Sequence, residues 1–405
     1  MSIMKDSSVY LTGELLSKSI PFLLLPYLSR KLGVEGFGEL SYYQIFLSLF
    51  VIIIGLSQDS AVARYFYAYG RRSLNLVVNT GYLYSISIGS IIILFCWVIK
   101  SEILFYLALT AIFQVFLSVQ LSICQCQKKV ITYTFIQIIS TGANALFTIL
   151  LLEIYQDELV EKRILAILAS NILAVSLTYF RYRKKITYKK FTISQYKIAF
   201  LYMMGFGLPM IFHHGSFFMK SQLDRAFIFH RFSEAELGLY SMGAQIAAVL
   251  SLLIMAINKA LVPYLFENLK TKKITLENLQ RWAFISILIV PIPSLITIVT
   301  PEEWILFILG KHFLGVKYYI SIFLLSTSLS IPYLFLANYL FYFGRTKEIS
   351  FCSILSTVIY LGALGGVIFT DMIYVPLASI FGALGILPVL YNITKRVEKN
   401  EYTSH

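Results

Sequence analysis

The 405-residue sequence is poor in charged residues, and this shortage excludes an ordinary soluble protein. Asp, Glu, Lys and Arg make up 14% of the chain, whereas soluble domains carry about 25%. The mean hydropathy is +0.75, and 58% of the residues are hydrophobic. Apolar segments long enough to cross a membrane follow one another almost end to end. The composition therefore predicts an all-α, polytopic membrane protein.

Cysteine is also scarce, and its placement argues against disulfides and metal sites. The four cysteines lie in or at the ends of apolar segments, and Cys124 and Cys126 have no His or second Cys pair nearby. No cleavage motif follows the first apolar segment, so we expect it to remain as a span. No loop carries a nucleophile–base pair or a carboxylate pair. We expect neither a metal centre nor an enzyme.

About 12 transmembrane helices are predicted, joined by connections too short to form an extramembrane domain. They cover approximately residues 9–30, 37–58, 75–98, 102–124, 131–153, 161–181, 197–219, 237–261, 281–300, 318–342, 349–369 and 373–393.

Lys and Arg are distributed unequally between the two sets of connections. With the N-terminus in the cytoplasm, the inside connections hold roughly twice as many of these residues as the outside ones, as the positive-inside rule requires. Both termini are therefore predicted to be cytoplasmic. The net charge of +13 meets anionic headgroups in these loops, so we expect membrane lipids and no nucleic acid as partners.

The sequence repeats itself weakly at an offset of 200 residues, with Gly38 aligned on Gly238. The match pairs predicted helix 1 with helix 7 and helix 2 with helix 8. We therefore expect two pseudo-symmetric six-helix bundles, residues 1–190 and 191–405. In transporters built from such repeats the substrate site lies at the interface of the repeats.

Several ionisable residues lie inside or at the ends of predicted spans, where a charge costs about 2.5–3.5 kcal/mol at the membrane centre. They are Glu14, Lys18, Asp59, His213, His214, Lys220, Asp224, Arg225 and Lys259. Such residues persist where they face a cavity or a partner. His213, Lys220 and Asp224 share one face of helix 7, because they are spaced i, i+7 and i+11. Basic groups outnumber acidic ones, which suits an anionic substrate.

Each group also has an interpretation without a role in binding. Glu14 and Lys18 are spaced i, i+4 and can neutralise each other. The segment 220–225 can lie at the outer membrane surface, and Asp59 and Lys259 can snorkel to the cytoplasmic one.

Four segments resemble one family of membrane proteins. They are PYLSRKLGVEGFG from Pro26, SQLDRAFIF from Ser221, ELGLYSMGAQIA from Glu236 and AINKALVP from Ala256. The chain is similar over most of its length to the Wzx-type polysaccharide flippases, which share the MOP superfamily with the MATE exporters and the lipid II flippase.

The resemblance implies a MOP fold and alternating access across the bacterial inner membrane. The implied substrate is an undecaprenyl-diphosphate-linked oligosaccharide, such as an O-antigen or capsule repeat unit. A polymerase and a chain-length regulator of the same pathway are implied partners. The candidate substrate-binding residues are Lys18, Lys220, Arg225, Lys259, His213 and His214. Some relatives couple to H+ or Na+, and Glu14, Asp224 and Asp59 are the candidates for that role; no other cofactor is implied.

Two other functions remain open at this stage. A MATE-like antiporter of organic cations would share the fold, but it would need acidic rather than basic cavity residues. A membrane polymerase or ligase would need a sizeable outer loop with Arg and His, and the outer connections here are short.

The orientation predicts the labelling of two connections. A single cysteine placed in residues 181–197 should react with a membrane-impermeant maleimide only after cells are broken. A matched cysteine in the acidic connection 153–161 should react in intact cells. Reaction of the 181–197 cysteine in intact cells would reverse the orientation.

Overall fold

The fold is entirely helical within the residues described by the computed structural model. These are the backbone of residues 2–71, 73–183, 191–367 and 369–403, and the side chains of residues 13, 15–71, 73–180, 191–367 and 369–399. The helices are α1 Ser2–Gly55, α2 Gln58–Tyr69, α3 Leu74–Val98, α4 Glu102–Cys126, α5 Val130–Ile154, α6 Leu159–Arg183, α7 Ile193–Arg231, α8 Glu234–Lys270, α9 Leu276–Ser286, α10 Ile292–Val299, α11 Glu302–Leu309, α12 Val316–Ser328, α13 Ser330–Tyr342, α14 Thr346–Val367 and α15 Leu377–Thr403. Short 3₁₀ turns cover Lys311–Phe313 and Met372–Tyr374. The all-α prediction is confirmed.

The helices are those of a multi-pass membrane protein. Among the described residues, 10 helices are long and apolar enough to cross a membrane, or 11 if the bent pair α10–α11 counts as one span. The apolar stretch Leu15–Tyr69 is 55 residues long and covers most of the first predicted span and all of the second. They are separated at Gly33, whose φ of 71° breaks the helix.

The ninth predicted span, 281–300, is wrong as a single helix. The structure ends α9 at Ser286 and begins α10 at Ile292. Helices α10 and α11 then meet at 90°. Prolines account for these breaks, because Pro291, Pro293 and Pro301 have no backbone N–H to donate and disfavour helical geometry in the preceding residue.

A second break separates α1 from α2, and nearby side chains satisfy the backbone there. Leu56 and Ser57 take left-handed conformations with φ of 45° and 51°. The carbonyl of Ile54 accepts hydrogen bonds from Ser85 Oγ at 2.9 Å and from Gln58 Nε2 at 3.3 Å. Gln58 Nε2 also donates to Ser85 Oγ at 2.6 Å. These polar groups close the break within the apolar interior, where an unsatisfied carbonyl would be costly.

The chain divides into two compact units. The first comprises residues 1–32 and 39–222, and the second comprises 33–38 and 223–405. This division falls inside α7, whereas the boundary predicted at 190/191 adjoins residues 184–190, which lie outside the described part. All four cysteines are free and buried.

The aligned glycines of the sequence repeat lie against each other within the second unit. A Cβ on Gly38 would collide with the carbonyl of Glu234, and a Cβ on Gly238 would collide with the carbonyl of Val34. Residues 34 and 234 are also aligned at the offset of 200 residues. Each glycine therefore faces the carbonyl of the residue that is aligned with the other glycine's contact. Such backbone approach requires glycine and is typical of tightly packed membrane helices.

The glycine contact predicts a position-specific loss of stability. Gly238→Ala should destabilise the fold by about 1–3 kcal/mol, because the new methyl group meets backbone that cannot yield. The measurement is the thermal unfolding midpoint of the purified protein in detergent. Gly362→Ala is the matched control, because its Cβ would meet nothing within 4 Å. Equal midpoints for the two variants would contradict the contact.

Candidate functional site

Helix α7 carries the largest group of candidate residues and extends further than predicted. It runs without interruption from Ile193 to Arg231, whereas the sequence predicted its end at 219. Lys220, Asp224 and Arg225 therefore lie within the helix. No Gly or Pro occurs from 220 to 231, and the next helix begins only where Ser233 Oγ accepts from the backbone N–H of Glu236 at 3.1 Å.

Asp224 is buried in the second unit and is held by tyrosine. Its side chain is 7% exposed, and its Oδ2 accepts a short hydrogen bond from the hydroxyl of Tyr240 on α8. Its Oδ1 accepts from the backbone N–H of Arg225 at 2.8 Å. Tyr360 on α14 lies close enough to interact electrostatically with the same carboxylate. Helices α7, α8 and α14 are thus joined at one acidic group.

The partner of Asp224 is itself fixed by packing. Tyr240 is 2% exposed, and its ring contacts Tyr319 and Phe323 of α12 edge-on at centroid distances of 6.1 Å and 4.8 Å. A buried hydroxyl costs free energy unless it is hydrogen-bonded, so Tyr240 and Asp224 stabilise each other. Sequence reasoning missed both tyrosines. For Tyr240 the available signal was the short connection between α7 and α8. Residues about two helical turns before and after such a connection lie next to each other.

The other candidates on α7 lie as the helical spacing predicts. His213 contacts Phe217 at a ring-centroid distance of 5.0 Å and His214 at 5.7 Å. His213 is exposed, while His214, Lys220 and Arg225 are half-buried. Lys220 belongs to the first unit and Arg225 to the second. The convergence of these side chains on one cavity stays a prediction.

The candidates on α1 and α8 are accessible cations. Lys18 and Lys259 are both exposed. The side chain of Glu14 lies outside the described residues. Beside Lys259, Asn258 Oδ1 accepts from Nδ2 of the buried Asn338 at 2.8 Å, which joins α8 to α13.

 Asp59 lines a polar cavity of about 320 Å³ within the first unit. Ser118, Ser122 and Tyr133 also line the Asp59 cavity, and Ser122 Oγ donates to the backbone carbonyl of Asp59 at 2.7 Å. This cavity is acidic and hydroxyl-rich, so it suits a cation or a neutral polar group.

Arg163 is a half-buried cation near the start of α6. On α6, its Nη1 donates to Asn144 Oδ1 at 2.7 Å and to Thr148 Oγ1 at 2.5 Å, both on α5. Its Nε is buried without a hydrogen-bond partner, and no described carboxylate forms an ion pair with it. The polar residues on α5 were the signal that could have placed it inside the bundle.

The chain belongs to the polysaccharide biosynthesis protein family, whose profile matches residues 3–269. It is 72% identical over 405 residues to a membrane protein of Haemophilus influenzae, covering 100% of both chains. It is 58% identical over 399 residues to a protein named for the Lsg locus of the same organism, covering 98% of this chain and 100% of the relative.

The fold is similar to that of a solved transporter. The structure resembles the inward-facing conformation of a multidrug resistance MATE family transporter of the MOP superfamily, with a TM-score of 0.71 and 17% identity. The match covers 97% of this chain and 100% of the transporter. The predicted MOP fold is confirmed. The fold is that of a multi-pass membrane transporter, and the family is named for polysaccharide biosynthesis.

The Asp224–Tyr240 contact predicts a measurable coupling. Tyr240→Phe should destabilise the protein by about 1–3 kcal/mol, because it removes the hydroxyl that donates to Oδ2 of the buried Asp224 carboxylate. Thermal unfolding in detergent measures the loss. In an Asp224→Ala background the same change should cost much less, since the acceptor is gone. Tyr264→Phe, at an exposed site on the same helix, is the control. Equal losses in both backgrounds would contradict the contact.

Proposed function

We propose that this chain flips an undecaprenyl-diphosphate-linked oligosaccharide from the cytoplasmic to the periplasmic leaflet of the bacterial inner membrane. The family match over residues 3–269 supports a role in polysaccharide biosynthesis, and the MOP fold supports transport by alternating access. The cargo is an O-antigen, capsule or related repeat unit. A polymerase and a chain-length regulator would act on it after export.

The charge of the candidate residues is the observation that supports the proposed cargo most directly. The cations Lys18 and Lys259 are exposed and Lys220 is half-buried, whereas Asp224 is buried and bound by a tyrosine hydroxyl. The accessible charge is therefore mainly positive. A diphosphate is the part of the cargo that such groups would bind, through charge-assisted hydrogen bonds.

Coupling to an ion is a further part of the proposal. Asp224 is the strongest candidate for an H+-linked or Na+-linked step, because a buried carboxylate joins three helices there. Protonation would weaken its acceptor role toward Tyr240 and so change how α7 and α8 are held. Asp59 and Glu14 are the other acidic candidates.

A MATE-like antiporter of organic cations is the second candidate function, and the acidic cavity at Asp59 is the observation that favours it. The two functions differ in the charge of their cargo. Raised sensitivity to cationic dyes in a deletion strain, with normal surface glycan, would favour the antiporter.

The proposal predicts that cavity lysines are needed for export. Lys18→Ala combined with Lys220→Ala should lower surface glycan in a complemented deletion strain by about tenfold or more, because charge-assisted contacts of about 1.5–3 kcal/mol are lost. Lys→Arg at both sites should be milder, since charge is kept. Lys273→Ala, in the exposed turn after α8, is the control.

Two measurements decide the outcome. Protein level in the membrane shows that the variants insert, and analysis of lipid-linked glycans shows where export stops. Single repeat units should accumulate on the cytoplasmic side. Full complementation by the double alanine variant would overturn the assignment of these lysines.

A further inference from the structure

A basic cavity of about 570 Å³ lies within the second unit, apart from the candidate transport residues. It is formed by the turn between α13 and α14 and by the C-terminal part of α15. The side chains that define its chemistry are Arg345, Lys347, Glu348, Phe351, Asn392 and Arg396.

The turn places two cations beside α15. Gly344 has a φ of 67°, and its N–H donates to the carbonyl of Phe341 at 3.1 Å. The N–H of Arg345 donates to the carbonyl of Leu340 at 2.9 Å. This is the Schellman pattern that ends a helix and reverses the chain. The turn thus brings Arg345 and Lys347 into the lining of the cavity.

The opposite wall is one face of α15. Asn392 and Arg396 are one turn apart and point to the same side of the helix. Further along, the two helices α14 and α15 pack closely. Ser356 Oγ on α14 donates to the carbonyl of Gly382 on α15 at 2.9 Å. The two helices are thus held together below the cavity.

The charge of the cavity suits a phosphate. Three cations face one carboxylate, that of Glu348. The N-terminal end of α14, where the helix dipole is positive, lies at the same place. Arginine and lysine are the usual phosphate-binding side chains.

An apolar surface continues from the cavity along α14. Phe351, Ile354 and Val358 are 55%, 60% and 58% exposed and follow one another at i, i+3 and i+7. A phosphate bound at the cations would place an attached acyl chain on this surface. The arrangement suits an amphiphile better than a free phosphate.

We propose that this cavity binds the headgroup of an anionic glycerophospholipid of the surrounding bilayer. Basic pockets between membrane helices are suited to such headgroups on the cytoplasmic side, which is the side that the distribution of Lys and Arg predicts for this turn. The bound lipid would hold the ends of α14 and α15 together.

The test is lipid binding to the purified full-length chain in detergent, measured by native mass spectrometry. Phosphatidylglycerol should bind more tightly than phosphatidylethanolamine. Arg396→Gln should weaken phosphatidylglycerol binding about fivefold, the effect of one surface cation. Lys395→Gln removes the neighbouring charge outside the cavity lining and should change binding less than twofold. Arg396→Lys should keep most of the affinity.

Competition experiments distinguish a bilayer lipid from other phosphate-containing ligands. Phosphatidylglycerol should resist displacement by inorganic pyrophosphate and by undecaprenyl diphosphate at equal concentration. Displacement by either compound would overturn the assignment to a bilayer lipid. Equal binding of the two phospholipids, or equal losses in the Arg396→Gln and Lys395→Gln proteins, would also overturn it.

Discussion

The hydrocarbon core of a membrane offers no hydrogen-bond partners, and the polar groups of this chain are arranged around that constraint. Where α1 breaks before α2, Gln58 and Ser85 supply the donors that the carbonyl of Ile54 needs. Where a carboxylate is buried, Tyr240 supplies its hydroxyl to Asp224. At both places a neighbouring helix provides the partner that the polar group needs.

Asp224 and Arg163 are stabilised in different ways. In the second unit Asp224 accepts from a tyrosine that is itself fixed by aromatic packing. In the first unit Arg163 donates to the neutral oxygens of Asn144 and Thr148. Neutral partners accept hydrogen bonds from the guanidinium but leave its charge uncompensated, which is costly in an apolar interior.

Hydropathy and the scarcity of charge in the spans predicted most of the fold because membrane helices must be long, apolar and internally hydrogen-bonded. They failed where backbone chemistry decides, as at Pro291, which breaks the ninth span, and at Pro301, which lies at the 90° bend between α10 and α11. The end of α7 was placed too early because hydropathy falls at Lys220 while the helix continues. The helical spacing identified Asp224 as a candidate, but Tyr240 depended on a contact between helices that a single sequence does not show.

The reciprocal approach of Gly38 and Gly238 bears on how the two halves diverged. If the repeat arose by duplication, each copy inherited one side of the same contact. A side chain in either copy would strike the backbone of the other, so neither position could drift without the other's packing being lost. Selection would then hold both glycines while the flanking residues changed freely. Two matching residues in otherwise dissimilar halves can thus be the visible remnant of a common ancestor.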